Sequence, residues 1–235
     1  AVPFADKQTA WRGTTRFASR MAPYAAPSAP VSSRIQPQAT YLITGGLGGL
    51  GLCFAQWLIG QGAQHLLLVG RNPPQPAVQQ RIDRWRAAGT QVTSVQADMA
   101  QYDAVAATLA GIEATCPLRG VIHAAGVLAD GVLQHLQPAQ WQQVCAPKVW
   151  GAWHLHRLTR SLQLDFFVLC ASSSGVLGNA GQANYAAANV FLDGLAHYRQ
   201  ARGLPALSID WDGWSDIGMS AGLVQQLTAQ GHRSL

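Results

Sequence analysis

Tyr41-Leu-Ile-Thr-Gly-Gly-Leu-Gly-Gly-Leu-Gly-Leu52 is the stretch on which the reading of this chain turns. Tyr41 to Thr44 has the composition of a short buried strand. From Gly49 onward the chain reads as a helix that continues through Leu50-Gly-Leu-Cys-Phe-Ala-Gln-Trp-Leu-Ile59. Strand, glycine turn and helix in succession let a backbone approach a pyrophosphate, with the amides and partial positive charge of the helix N-terminus facing it. A glycine-rich turn on its own can also be simply a tight connection between packed elements. The flanking sequence has to decide.

Downstream, short apolar runs alternate with helical ones. Strands are expected at 40–44, 65–69, 91–96, 119–123, 165–171 and 206–211, and helices at 49–61, 76–88, 102–115, 138–161, 182–202 and 222–230. Such alternation implies an α/β fold, a Rossmann-like doubly wound parallel sheet with helices on both faces. The second strand runs into Gly70-Arg71-Asn72, with no acidic residue to take a ribose 2′-hydroxyl. Arg71 stands where a 2′-phosphate would lie, which favours NADPH over NADH. After the third strand comes Ala97-Asp98-Met99, where Asp98 suits either an adenine amino group or a helix cap. The fourth strand ends His123-Ala-Ala-Gly126, small residues against which a ribose and nicotinamide can lie. His123 itself reads as a packed strand-end histidine rather than a base or metal ligand. The remaining histidines show no metal-ligand spacing.

The segment Cys170-Ala-Ser-Ser-Ser-Gly-Val-Leu-Gly-Asn-Ala-Gly-Gln-Ala-Asn-Tyr-Ala-Ala-Ala-Asn-Val-Phe-Leu-Asp193 carries the chemistry. Ser172, at a strand end, precedes Tyr185 by thirteen residues, and Asn189 follows Tyr185 by four. Residues four apart share a helix face. A serine and a tyrosine converging on one carbonyl oxygen suit proton donation to a developing alkoxide.

With 235 residues, 49% hydrophobic and 11% charged, the chain is long enough for one large core. Its net charge of +5 comes mostly from arginine, with Lys7 and Lys148 the two lysines. The basic residues form no stripe, so nucleic-acid binding has little support. Cys53, Cys116, Cys145 and Cys170 lack CxxC spacing and read as buried free thiols of a reducing compartment. With no transmembrane-length apolar run and no signal-peptide pattern, a cytoplasmic location is expected, with no membrane partner. Residues 1–38 stand apart. Ala10 to Ala18 is expected to form one strand, which needs a partner, and Met21 to Gln38 is rich in Pro, Ala and Ser as a linker would be.

These motifs together resemble the short-chain dehydrogenase/reductase superfamily and, within it, the catalytic subdomain of a ketoreductase domain from a modular polyketide synthase. Thr44-Gly-Gly-Leu-Gly-Gly-Leu-Gly51, His123-Ala-Ala-Gly-Val127 and Asn184-Tyr-Ala-Ala-Ala-Asn-Val-Phe-Leu-Asp193 carry the resemblance, over about residues 40–220. It implies an NADPH-binding site formed by Thr44, Gly45, Gly46, Leu47, Gly48, Gly49, Gly51, Arg71, Asp98, Met99, His123, Ala124, Ala125 and Gly126. It implies catalysis by Tyr185, Ser172, Lys148 and Asn189. Most superfamily members have lysine where Asn189 stands; in polyketide ketoreductases the lysine comes from the preceding long helix, and Lys148 fits that place. Lys148 is expected to lower the tyrosine pKa, and Asn189 to position Lys148 or a water.

The resemblance also bears on stereochemistry. B-type ketoreductases carry Leu-Asp-Asp where this chain has Leu128-Ala129-Asp130, keeping the last aspartate. A-type enzymes carry tryptophan at the position of Leu177. A 3R product is therefore expected. Ala187, where some relatives have proline, gives no sign of an epimerised α-methyl substrate. Asp210 to Trp214 looks like a segment closing over nicotinamide, and Asp216 to Leu227 like a substrate lid with Met219 near the entry.

The implied partners are an acyl carrier protein with its phosphopantetheine-bound acyl chain and other domains of the same synthase, in a homodimeric parent. The implied organisation is 1–38 as linker and tail of a structural subdomain, then 39–235 as the catalytic subdomain without its last strand. The alternatives are a free-standing short-chain reductase, a fatty acid synthase ketoreductase, or a non-catalytic scaffolding pseudo-reductase.

Overall fold

A computed structural model describes residues 9–18, 22–23 and 35–214. The helix expected at 222–230, the lid and Met219 lie outside the described residues. The chain divides into Ala1–Ser33 and Arg34–Leu235.

In the first unit, β1 (Thr9–Arg12) and β2 (Thr15–Ala18) form an antiparallel hairpin with Thr9 opposite Ala18 and Arg12 opposite Thr15. The single strand expected over Ala10 to Ala18 is thus two. The cause is Gly13 at φ +61, the left-handed conformation that starts a two-residue hairpin turn.

The second unit carries a six-stranded sheet. Its strands are β3 (Thr40–Thr44), β4 (His65–Gly70), β5 (Gln91–Gln96), β6 (Leu118–His123), β7 (Phe166–Ser172) and β8 (Leu207–Trp211), in the order β5-β4-β3-β6-β7-β8. All neighbours are parallel. Every residue of β3 is buried, as a central parallel strand covered on both faces requires. The helices are α1 (Gly49–Gly60), α2 (Pro76–Ala87), α3 (Tyr102–Ala110), α4 (Pro138–Cys145), α5 (Gly151–Thr159), α6 (Ser173–Leu177) and α7 (Ala183–Gln200). Pro76 and Pro138 open α2 and α4, where a missing N–H costs nothing. One apolar cluster, with Leu42, Val121, Leu155, Phe167 and Leu192, fills one side of the sheet; another, with Tyr41, Ile43, Leu58, Leu68 and Ile82, fills the other.

The sequence and the structure differ most within 138–161. Instead of one regular helix, α4 and α5 are joined through a π turn over Ala146–Trp150. Pro147 explains it: a proline has no N–H for the preceding turn and its ring crowds that turn's carbonyl, and widening the helix relieves both. The short α6, directly after Ser172, also escaped the sequence reading, since five residues carry no periodic signal.

Two histidines are sealed inside this core, His123 at 0% and His156 at 4% exposure. Burial holds their pKa values at about 3 and about 4, helped by Lys148 beside the first and Arg199 beside the second. Below pH 6.5 the unfolded chain takes up protons that the folded chain refuses. Their contribution is complete above that pH and is lost as the pH falls toward 4, at about 1.4 kcal/mol per pH unit for each histidine. Urea midpoints should therefore drop steadily between pH 6.5 and 4.5; a flat profile would mean that both imidazoles titrate normally.

Candidate active site

The C-terminal ends of the strands open on a cleft of about 1070 Å³, beside the β3–β6 boundary where the strand order reverses. Open parallel sheets bind ligands at this point. Gly45, Leu47, Gly48, Gly49, Gly51, Arg71, Ala124 and Gly126 line one part of it. Gly45 adopts φ +64, and a Cβ there would meet the Ala124 carbonyl oxygen at 2.7 Å. A Cβ on Gly51 would press into the Gly45 carbonyl and lie 2.6 Å from Gly46 Cα. Only bare backbone fits, and it leaves room above the loop. The N-cap of α1 is Gly48, with no side-chain cap and no acidic residue in the first turn. That helix end suits an anion.

A side chamber of about 90 Å³ shares Gly45, Gly70, Arg71 and Gly126 with the main cleft and adds Asp98, Met99 and Ala125. Arg71 is exposed and lines both spaces. Asp98 Oδ1 accepts a bond from the Ala100 amide at 3.0 Å, closing a local turn, while the N-cap of α3 is Gln101. The helix-cap role foreseen for Asp98 thus falls to a neighbour, and Asp98 remains open to the chamber.

Thr44 and His123 do not line either space. Thr44 Oγ1 and His123 Nδ1 share a 2.7 Å hydrogen bond inside the core, with both residues at 0% exposure. Gly46 is buried too, where a Cβ would come within 2.7 Å of the Ile43 carbonyl. These three shape the loop from beneath.

At the other end of the cleft stand Lys148, Ser172 and Tyr185. Lys148 projects from the π turn and is buried at 3% exposure. Its Nζ donates to the Cys170 carbonyl at 2.9 Å and sits 5.2 Å from the centre of the Tyr185 ring. Burial pulls its pKa down to about 8, against the opposing pull of Cys170, Asp193 and Asp210. Ser172 caps α6; its Oγ accepts from the Ser174 amide at 3.3 Å and the Ser174 hydroxyl at 3.1 Å, leaving its own proton to donate. Asn189 is fully buried under Tyr185, its Nδ2 donating to the Tyr185 carbonyl at 2.8 Å and its Oδ1 unpartnered.

One expectation is corrected here. The Tyr185 pKa is raised, not lowered, because burial outweighs the hydrogen bonds of Asn189 and Ser172. The phenol therefore keeps its proton at neutral pH, the form a proton donor needs.

A set of amides that the sequence reading missed ties the Asp130 loop to the segment around Tyr185, and of these Asn179 and Gln182 line the cleft. Gln182 donates to Asp130 Oδ2 at 2.9 Å and accepts from Asn179 at 2.9 Å. Asn184 donates to the Ala129 carbonyl at 2.9 Å and accepts from the Tyr185 amide at 2.8 Å. Gln140 reaches the Asp130 carbonyl at 3.1 Å. Asp130 and Leu177 both line the cleft. The only available signal was the density of Asn and Gln around Tyr185, and spacing says nothing about which loop each amide meets. At the end of β8 and just beyond it, Trp211, Asp212 and Trp214 form a further wall, with Asp212 Oδ1 accepting from the Ser173 hydroxyl at 3.3 Å.

Among the described residues no group of His, Cys, Asp and Glu is arranged to hold a metal, all four cysteines are free, and no helix is long and apolar enough to cross a membrane.

Comparison with known proteins gives one consistent result. Residues 39–216 match the KR domain family model. Polyketide synthase GfsA of Streptomyces halstedii is 45% identical over 219 residues, covering 93% of this chain and 3% of that protein. The spectinabilin polyketide synthase system protein NorB of Streptomyces orinoci is 47% identical over 191 residues, covering 80% of this chain and 9% of that protein. The chain thus spans a small part of these relatives' length. Among solved structures, the first ketoreductase of the tylosin polyketide synthase is 39% identical with a TM-score of 0.83, covering 98% of this chain and 50% of that one. A structure of A-type ketoreductases from a modular polyketide synthase is 39% identical with a TM-score of 0.84, covering 92% of this chain and 46% of that one.

Proposed function

Because the chain belongs to the KR domain family, the ketoreductases of polyketide synthases, we propose that it reduces a β-ketoacyl thioester, carried on the phosphopantetheine arm of an acyl carrier protein, to the β-hydroxyacyl thioester. The observation that carries this reading is a single cleft with Ser172, Tyr185 and Lys148 at one end and a bare glycine floor with Arg71 at the other.

The residues fit NADPH. The glycine floor and the uncapped start of α1 suit a pyrophosphate, Arg71 suits a 2′-phosphate, and Asp98 and Met99 line a chamber for an adenine ring. Ala124, Ala125 and Gly126 leave the backbone approachable beside it. When bound, NADPH supplies the hydride for C3 of the substrate. Ser172 turns the hydroxyl proton it shares with Tyr185 toward the substrate carbonyl and stabilises the charge that develops on the oxygen. Tyr185 then transfers its phenolic proton to that oxygen. Lys148, protonated at neutral pH, keeps a positive charge over the ring and stabilises the phenolate left behind. Asn189 holds the α7 turn under Tyr185 and offers Oδ1 to Lys148 or to a water that returns the proton.

Asp130, fixed by Gln182, supports a B-type, 3R product, as does Leu177 in place of a tryptophan. A structure of A-type ketoreductases is 39% identical to the chain, so the B-type reading rests on Asp130 and Leu177 and not on overall similarity. We place the unit inside a larger, homodimeric polyketide synthase in the cytoplasm, with residues 1–38 as the end of a structural subdomain and its linker.

The test is reduction of a β-ketoacyl-N-acetylcysteamine thioester with NADPH by the full-length protein, with the product resolved on a chiral column. A 3R alcohol is expected. A 3S alcohol would overturn the role given to Asp130, and NADPH binding without turnover on either this thioester or a carrier-bound one would favour a scaffolding unit.

Arg71→Ala checks the cofactor. It should raise KM for NADPH at least about tenfold, the loss of a charge-assisted phosphate contact, and change KM for NADH less than threefold (about 0.6 kcal/mol). Equal effects on both would remove Arg71 from the site.

A further inference from the structure

We infer that His123 is a positioning residue that braces the π turn carrying Lys148 against the glycine-loop strand. The inference rests on the role proposed above for Lys148, and it assigns to His123 a task that no contact with cofactor or substrate performs.

The imidazole joins two parts of the site that the chain does not otherwise link. On one side, Nδ1 is bonded to Thr44 Oγ1 at the end of β3, immediately before the glycine loop. On the other, the ring packs against the start of α5, immediately after the π turn: a Cβ on Gly151 would come within 3.2 Å of His123 Cε1. The backbone groups of Pro147 and Lys148 that favour its charged form can only be carbonyls, since acceptors stabilise a cation. A π turn needs such support. Widening the helix at Pro147 breaks the regular ladder, although the Ala146 and Lys148 carbonyls still accept backbone N–H groups at the end of the turn. His123 Nε2 has no partner of ordinary geometry, yet it is fully buried. In the tautomer where the Thr44 hydroxyl donates to Nδ1, Nε2 carries the proton and faces those carbonyls, and the brace requires this tautomer. The turn is held from below by this ring and from above by the Lys148 bond to the Cys170 carbonyl. A hydroxyl-anchored ring of fixed size sets the height of the turn, and with it the reach of Lys148 beneath Tyr185.

The titratable and charged groups that act on Lys148 come from several elements: His123 on β6, Cys170 on β7, Tyr185 and Asp193 on α7, and Asp210 on β8. The His123 ring is neutral at working pH, so replacing it with another uncharged ring removes the brace without changing the charge around Lys148.

The test combines turnover with a direct view of the lysine. In the full chain labelled with ¹³C-lysine, Lys148→Met identifies the Lys148 signal, since Lys7 is the one other lysine. Its titration is then followed in wild type, His123→Phe, His123→Gln and His123→Asn. Gln can span from Thr44 to the turn, Asn cannot, and Phe fills the space without hydrogen bonds. We expect His123→Phe and His123→Asn to move the Lys148 midpoint up toward 10.5 as the side chain gains solvent. We expect kcat to fall about tenfold to a hundredfold, as small misplacements of catalytic groups do, with KM changed less than threefold. His123→Gln should restore both to within about threefold of wild type.

An unchanged Lys148 titration in His123→Phe would overturn the inference, whether or not activity or melting temperature falls. So would a Gln variant no better than Asn. If His123→Phe does not fold, the Gln and Asn pair decides. A wild-type protein without reductase activity would remove the proposed function, yet the titration would still report whether His123 sets the position of Lys148.

Discussion

Tyr185→Phe is expected to leave NADPH affinity within about threefold of wild type and to lower kcat by at least about a thousandfold, within the range lost when a positioned general acid is removed. The substitution deletes one hydroxyl and keeps the ring, so the packing of Tyr185 with Val144 and Ala188 survives. It also keeps the ring face near the Lys148 ammonium and the Asn189 bond to the backbone. What disappears is the proton that the alkoxide needs. Ser172 cannot replace it, because its own proton would be given up by a group far less acidic than a phenol. Because burial keeps the phenol protonated at neutral pH, wild-type reduction should be flat from pH 6 to 8 as far as Tyr185 is concerned. Stopped-flow measurement of NADPH oxidation at saturating substrate checks the loss, and fluorescence titration of NADPH checks the binding. Turnover near the wild-type rate would take Tyr185 out of the mechanism.

Lys148→Met should damage activity and improve stability together. Activity falls by about a hundredfold or more as the charge under the reacting phenolate is lost. Stability moves the other way. Lys148 has its pKa lowered from 10.5 to about 8, so the folded protein carries a charge it would rather not hold. Below pH 8 the lysine is charged in both states and the full penalty applies, about 3 kcal/mol in order of magnitude. Between about 8 and 10.5 the folded state releases its proton before the unfolded state does, so wild-type stability rises with pH through that window. Methionine removes both the penalty and the slope. It also leaves the Cys170 carbonyl without its donor, which offsets part of the gain. The net expectation at pH 7 is an increase of about 1–3 kcal/mol. Urea unfolding at pH 7 and pH 10 checks it; a variant less stable than wild type at pH 7 would show that the ammonium is well compensated where it sits. Such an exchange of stability for activity is common where function needs a buried charge.

The local signals that the sequence carries are those set by neighbours along the chain. The β3–glycine–α1 unit was legible because a buried strand, a turn that tolerates no Cβ and an uncapped helix start lie within twelve consecutive residues. Tyr185 and Asn189 were legible as a pair because helical spacing brings residues four apart together. The boundaries of β5 and the start of α2 followed from the alternation of strand-like and helical runs. The hairpin at Thr9 to Ala18 was missed because one glycine among strand-forming residues can end a strand or sit within it, and only its φ decides.

Residue identity and spacing alone pointed to the α/β architecture, the glycine turn with Arg71 after the second strand, and the proposed pairing of Ser172 with Tyr185, while Lys148 entered only through the resemblance to polyketide ketoreductases. Periodicity and steric exclusion act within a few residues, and these features are built from them. The tertiary structure alone decided how Lys148 reaches its place, on a π turn at Pro147 with its ammonium on the Cys170 carbonyl and His123 packed against Gly151 just after the turn. It alone showed that the Tyr185 phenol is pushed up rather than down, and that Gln182 holds Asp130 from 52 residues away. Burial and long-range hydrogen bonds depend on which surfaces meet after folding, and that information is spread over residues far apart in the chain.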